Sequence, residues 1–268
     1  MSSEVSELAE ALHGTATAPL TADGNDRMLS STRAICGVYL NAWRYLRNDG
    51  GFSVRRWVRE VADGSSQRWL HLVYRDDQMA MLRLLIATWL DLAIVEALSM
   101  PEQTGRRLWF VMDELDSLGK VGSLRGGLTK LRKYGGIVVA GLQTIAQVRS
   151  TYGYDEAQVL LSCLSTKLIL SAGDAETARY CERELGTQEV EHQQVSESRS
   201  RQVGNPLGGS QSTNQSVHRT IQSTVLASEI AALPNLHGYL YVAGQPIIQV
   251  VLDYYELQGE TQAFVPER

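Results

Sequence analysis

Metal-ligand spacing, paired cysteines and membrane-length apolar runs are all missing from this 268-residue chain. Cys36, Cys163 and Cys181 lie far apart in sequence, which gives neither a disulfide framework nor a zinc knuckle and points to a reducing cytosolic setting. The five histidines form no HExxH and no other ligand spacing, so no structural metal is expected. No basic stretch followed by an apolar one stands at the N-terminus, so no signal peptide is read there. The longest apolar run, residues 79–100, is interrupted by Arg83, Asp91 and Glu96. Each of those charges is costly at a bilayer centre, so the run predicts a buried helix and not a membrane span. No GxxxxGK[ST] occurs, and residues 122–130 (GSLRGGLTK) have the wrong order for one. Nothing evident therefore cradles the α- and β-phosphates of a nucleotide. A GxSxG elbow is absent too. Finally, residues 117–154 contain no Asp or Glu, while Lys120, Arg125, Lys130, Arg132, Lys133 and Arg149 are all basic.

What is present is the composition of a globular protein, 44% hydrophobic and 21% charged, long enough to bury a sizeable core. A net charge of -5 argues against a protein that coats nucleic acid, but leaves open a ring whose bore alone is positive. Hydrophobic periodicity predicts helices over residues 5–12 and 27–47, the second burying Leu29, Ile35, Val38, Leu40 and Trp43. Ser53 stands at an N-cap ahead of a helix through Val61. Strands are then predicted over 68–74, 108–112, 136–142 and 167–171. They alternate with helices over 76–100 and 124–134, around Ala146 and Val159, and over 175–185, where Gly186 stops the last one. Interiors as apolar as LWFVM and IVVAG predict a mostly parallel sheet covered on both faces, an α/β fold. Residues 193–223 are dominated by Ser, Gln, Asn and Gly and predict a solvent-exposed hairpin, 188–195 with 217–225, with a mobile tip. A short helix over 227–233 and a closing strand pair, 238–243 and 247–254, complete the pattern.

The string LWFVMDE carries the most chemistry. Five apolar residues form a strand, and Asp113 and Glu114 follow at its carboxyl end, the edge where open α/β sheets bind ligands. A Walker B motif needs this order: the first carboxylate holds Mg²⁺ and the second activates the attacking water. The bland alternative is a buried strand that ends in solvated acids. The next predicted strand ends in Gln143 and Thr144, polar groups placed where a γ-phosphate sensor would stand. The basic, acid-free stretch beside this site suits contact with an anion, either DNA or the triphosphate of a neighbouring subunit, whereas an ordinary solvated face mixes signs. Arg132 is the candidate arginine finger acting in trans. Lys120, Arg125, Lys130 and Lys133 are candidate DNA contacts. So are Arg44 and Arg47, which alternate with aromatics in WRYLR as single-strand binders do, although the tryptophans at that spacing also serve as core anchors.

Taken together, LWFVMDELDSLGKVGSLRGGLTKLRKYGGIVVAGLQTIAQV resembles the nucleotide-binding domain of the conjugative type IV coupling proteins, the TrwB/TraD group of FtsK/HerA-like P-loop ATPases. The segments EAQVLLSCLSTKLIL, LASEIAALPNL and AFVPER fit the same pattern, from about Phe52 onward. The resemblance implies a RecA-like domain over residues 51–268, preceded in 1–50 by the tail of a small all-α insertion. It implies a hexameric ATPase that uses ATP and Mg²⁺, binds DNA as a single strand in its bore, and hands a relaxase–DNA complex to inner-membrane secretion components. Its place would be the cytoplasmic face of the bacterial inner membrane. Asp113 would be the Mg²⁺ ligand, Glu114 the catalytic carboxylate, Arg132 the finger, and Gln143, with Thr144, the sensor. The membrane helices, the P-loop strand and the first part of the insertion have no counterpart here. With the P-loop strand expected between the Walker B and sensor strands, those two would either face a gap or close up and pair directly, and the chain alone would not hydrolyse ATP. Two other readings stand beside this one: a non-catalytic ring or docking module, and a piece of a related DNA pump serving another process.

Overall fold

The computed structural model describes residues 5–46, 50–64, 68–201 and 209–256. Along the chain run α1 (Val5–Leu12), α2 (Asp26–Tyr39), α3 (Val54–Ala62), α4 (Asp76–Ser99), β1 (Leu108–Met112), α5 (Leu124–Lys130), β2 (Gly136–Ala140), α6 (Ile145–Tyr152) and α7 (Tyr154–Cys163). After them come β3 (Thr166–Ile169), α8 (Ala175–Leu185), β4 (Thr187–Arg201), β5 (Gly209–Ser223), α9 (Ala227–Ala231), β6 (His237–Val242) and β7 (Ile248–Val251). The fold is α/β, and its parallel pairing is β1 with β2; β3–β6–β7 and β4–β5 are antiparallel. The chain divides into two compact units, Met1–Leu142 with Ser150–Cys163 and Gln143–Arg149 with Leu164–Arg268.

In the first unit α3 begins where Ser53 Oγ accepts the Arg56 N–H at 3.4 Å, and it buries Val54, Val58 and Ala62 at i, i+4 spacing. It packs on α4, whose Leu85, Ile86, Ala87, Ile94 and Ala97 are buried. Each charge that interrupts this apolar helix has a structural task. Arg83 lies along Gly119, where its Cδ is 3.2 Å from the place a β-carbon would occupy. Asp91 Oδ1 accepts the Ser123 backbone N–H at 2.7 Å and its hydroxyl at 2.5 Å, putting a carboxylate on the positive end of α5. Glu96, only 3% exposed, is bonded by Arg59 and lies 3.9 Å from Arg55, which joins α4 to α3. Among the described residues no helix is long and apolar enough to cross a membrane.

Arg106 is the other buried charge. Its guanidinium donates to Ala62 O at 3.2 Å, Pro101 O at 3.3 Å, Tyr134 O at 3.2 Å and Gln103 Oε1 at 3.1 Å. One side chain thus ties the end of α3 to the starts of both β1 and β2. Gly135, at φ +76°, allows this approach, because a β-carbon there would fall 2.5 Å from Arg106 O. Leu108 N–H then donates to Gly135 O at 3.0 Å and opens the ladder, with Leu108 opposite Gly136 and Met112 opposite Ala140.

Three expectations are corrected. The predicted strand over 68–74 forms no strand and joins no sheet; a period-two pattern marks a segment able to pair, whereas the pairing itself depends on tertiary contacts. β1 is buried on one face only: Leu108, Phe110 and Met112 are inside, while Trp109 is 53% exposed, Val111 57% and Val139 beside it 45%. An uninterrupted apolar run cannot by itself tell whether its second side finds a cover. Helix 27–47 ends at Tyr39 and continues as a 3₁₀ turn over Asn41–Tyr45. Of its predicted core positions Leu29 is buried, and Ile35, Val38, Leu40 and Trp43 are exposed. The α/β class stands, with β1 and β2 parallel and β3 antiparallel to β6.

In the second unit Asp174 caps α8 by accepting the Thr177 N–H at 2.9 Å, and Gly186, at φ +75°, ends that helix. The hydrogen bond from Thr177 holds the Asp174 carboxyl below the usual range. α8 packs on α9 through buried Ala178, Tyr180, Cys181 and Ile230. The β4–β5 hairpin is longer than predicted, with fifteen register pairs from Thr187↔Ser223 to Arg201↔Gly209, because a backbone ladder does not require apolar side chains to continue. The predicted mobile tip falls on residues 202–208, outside the described residues.

Two outcomes follow from this packing. Arg106→Ala leaves up to three carbonyls without their donor and is expected to lower unfolding free energy by about 3 kcal/mol, at roughly 1 kcal/mol for each stranded group; urea unfolding followed by tryptophan fluorescence reads it, and an unchanged midpoint contradicts the account. Burial pushes the Cys181 thiol up to about 11. About a thousandth of it is thiolate at pH 8, so iodoacetamide should alkylate Cys36 and Cys163 well before Cys181, a ranking that peptide mass spectrometry checks.

Candidate functional site

Because β1 and β2 run parallel and in register, their carboxyl ends open at the same edge. Asp113 stands there exposed, and Glu114 half-buried beside it. The chain then turns through a 3₁₀ segment, Asp116–Leu118, where Ser117 Oγ donates to Glu114 O at 2.8 Å and Leu115 and Leu118 are buried as anchors. Asp116 Oδ1 is buried without a hydrogen-bond partner. The Tyr152 hydroxyl accepts Val121 N–H and donates to Gly119 O, both at 3.3 Å, and burial raises its pKa. These bonds hold the loop between the acids and α5.

The acidic corner is held from the side by β2. Gly141 N–H donates to Met112 O at 2.7 Å, and Leu115 N–H donates to Gly141 O at 3.0 Å. Gly141 and Arg106 were not singled out by sequence reasoning. For Gly141 a signal did exist: a glycine at the end of an apolar strand run marks close backbone approach. For Arg106 no local pattern distinguishes it from its exposed neighbour Arg107.

The pair suits Mg²⁺, which keeps several waters and takes one or two carboxylates plus phosphate oxygens. Among the described residues no group of three His, Cys, Asp or Glu side chains could hold a metal by itself, so the remaining ligands would come from water and phosphate. The direct pairing of β1 with β2 settles the choice between a gap and closure in favour of closure.

The other candidate residues are distributed as follows. Gln143 is exposed and, with Thr144, belongs to the second unit. Thr144 caps α6: its Oγ1 accepts Gln147 N–H at 3.2 Å and lies 2.9 Å from Gln147 Oε1. Arg132 sits in the 3₁₀ turn Leu131–Tyr134, just before β2 begins. A five-residue strand spans about 16 Å, so Arg132 stands at the far end of the sheet from the acids of its own chain. Lys120 pairs with Glu156 at 2.6 Å, Lys133 lies 3.9 Å from Glu102, and Arg149 bonds Glu176. Arg125, Lys130 and Arg132 are exposed and make no ion pair among the described residues. They lie on α5 and its 3₁₀ extension, which buries Leu124, Gly127 and Leu131. Arg47 lies outside the described residues, and for Arg44 the backbone alone is described.

The family model of the type IV secretion-system coupling protein DNA-binding domain matches residues 1–253. The coupling protein TraD of Escherichia coli (strain K12) is 31% identical over 99% of this chain and 37% of its own length. A probable conjugal transfer protein TraG of Sinorhizobium fredii is 38% identical over 36% of the chain. Among solved structures, the unbound bacterial conjugative coupling protein TrwBdeltaN70 superposes with a TM-score of 0.82 at 31% identity, over 99% of this chain and 59% of that one. Plasmid coupling protein TrwB in complex with ADP and Mg²⁺ gives a TM-score of 0.79 at 32% identity, over 99% of this chain and 58% of that one. The chain therefore spans about two fifths of TraD and three fifths of the solved TrwB chain, and over that span it belongs to the family of type IV secretion-system coupling proteins.

Proposed function

We propose that this chain is the C-terminal portion of a hexameric, DNA-translocating coupling ATPase that delivers a relaxase–DNA complex to a type IV secretion channel. The observation that carries the reading is the pair of parallel strands with Asp113 and Glu114 at their common carboxyl edge, within a chain that belongs to the coupling proteins. TrwB, solved with ADP and Mg²⁺ and with the non-hydrolysable ATP analogue ADPNP, supports the nucleotide part. In this reading residues 1–50 are the tail of an all-α insertion and 51–268 the later part of the motor domain.

Asp113, exposed at the strand end, would hold Mg²⁺, and Glu114 beside it would take a proton from water. Bound MgATP would supply the phosphoanhydride whose cleavage drives transport. Gln143 would sense the terminal phosphate. Arg132, a strand length away from its own acids, is suited to a neighbour's site and not to its own. Arg125, Lys130 and Arg132 offer DNA a surface of one sign. The intact protein would work at the cytoplasmic face of the inner membrane, with relaxosome proteins as partners. A docking role without ATP use, as a non-catalytic ring or docking module that binds relaxosome proteins, is the second reading.

An immunoblot of cell fractions with an antibody against residues 240–268 distinguishes them. A band well above 29.6 kDa in the membrane fraction, whose ATPase is lost in Asp113→Asn, is the expected result. A soluble band near 29.6 kDa that turns over no MgATP would leave the docking reading. For DNA, replacing Arg125, Lys130 and Arg132 together by alanine should weaken single-strand binding and flatten the plot of log affinity against log salt by about 2, at roughly 0.7 per lost phosphate contact. An unaltered slope would remove this surface from the DNA path.

A further inference from the structure

The acidic corner owes its position to a residue that carries no side chain. A β-carbon built on Gly141 would lie 1.9 Å from Asp113 O and 2.9 Å from Asp113 C. Real β-carbons do not come within 3.0 Å of such atoms, so any other residue would push the Asp113 carbonyl back by at least about 1 Å. Gly141 also makes one bond on each side of the acids: its N–H holds Met112 O at 2.7 Å, and its carbonyl takes Leu115 N–H at 3.0 Å. Asp113 and Glu114 are therefore the only two residues between the clamped carbonyl and the clamped amide. Gly141 is not among the glycines with positive φ, so the requirement is one of space and not of backbone conformation. Gly135, by contrast, requires both.

We propose that Gly141 is the positioning residue of the Asp113–Glu114 site, setting where both carboxylates stand by clamping the backbone on either side of them. This rests on the reading of that pair as the metal-holding acids of a coupling ATPase. Displacements of about 1 Å in a site of this kind cost orders of magnitude in rate, and supporting residues behind metal ligands typically contribute tenfold to a hundredfold in metal affinity.

The test is made on the full 268-residue chain, by amide hydrogen exchange and by Mn²⁺-induced line broadening in NMR spectra. In the unaltered chain Leu115 and Gly141 amides should be strongly protected, and if either exchanges at the rate of an open chain the clamp does not exist and the proposal is overturned. In Gly141→Ala, Mn²⁺ affinity at residues 113–114 should fall at least about tenfold while the methyl signals of Ile94, Leu124 and Leu131 stay in place. A folded Gly141→Ala with unaltered Mn²⁺ affinity and Leu115 protection also overturns it. Gly126→Ala, where a β-carbon meets nothing within 4 Å, is the control and should leave both readouts unchanged. If Gly141→Ala does not fold, the exchange of the unaltered chain decides. If the unaltered chain shows no broadening at 113–114, the metal reading of the pair fails, and exchange still judges the clamp.

Discussion

The pairing of β1 with β2 is the constraint on which the rest of the first unit depends, and it is pinned at both ends by bare α-carbons. At the start of the strands Gly135 admits the Arg106 backbone, and at their end Gly141 admits the Asp113 carbonyl. A slip of one residue would exchange the faces, sending Leu108, Phe110 and Met112 outward and Trp109 and Val111 inward. It would also carry Asp113 off the strand end. Core burial and the placement of the acids are therefore two consequences of one register.

The charges in the apolar helix α4 serve the same arrangement. Glu96 joins α4 to α3, Asp91 supports the start of α5, and Arg83 fills the space beside Gly119 in the loop between. Glu96 and Asp91 each bring a buried or half-buried carboxylate a partner, an opposite charge for Glu96 and a backbone donor for Asp91, which is the condition for keeping such groups in a core. The result is a helix that is apolar enough to lie inside, yet fixed in rotation and height by two polar contacts and one packing contact.

One side of the β1–β2 pair remains open among the described residues, with Trp109, Val111 and Val139 about half exposed. Parallel strands are ordinarily covered on both faces. The solved coupling protein with which the chain superposes has about two fifths of its length beyond the matched span, so the uncovered face and the unmatched length occur together. β2, with a partner on one side only, carries the same asymmetry in its backbone.

Local signals in the sequence were sufficient for much of this. The apolar runs LWFVM and GIVVA, the cap at Ser53, the stop at Gly186 and the helix over Ala175–Leu185 are all short-range effects of side-chain period, capping and glycine conformation. The acids at the strand end were legible for the same reason, since a strand and the residue after it are contiguous. Only the tertiary structure decided that β1 lies directly beside β2, that residues 68–74 stay unpaired, that Arg106 goes inside while Arg107 stays out, and that Thr144 is taken up as a helix cap. Those outcomes depend on which segments, distant along the chain, arrive at the same place. The sequence by itself determined the elements and the chemistry at their ends; the packing decided which faces are covered and which glycines have no room for a side chain, because both are properties of neighbours and not of the residue itself.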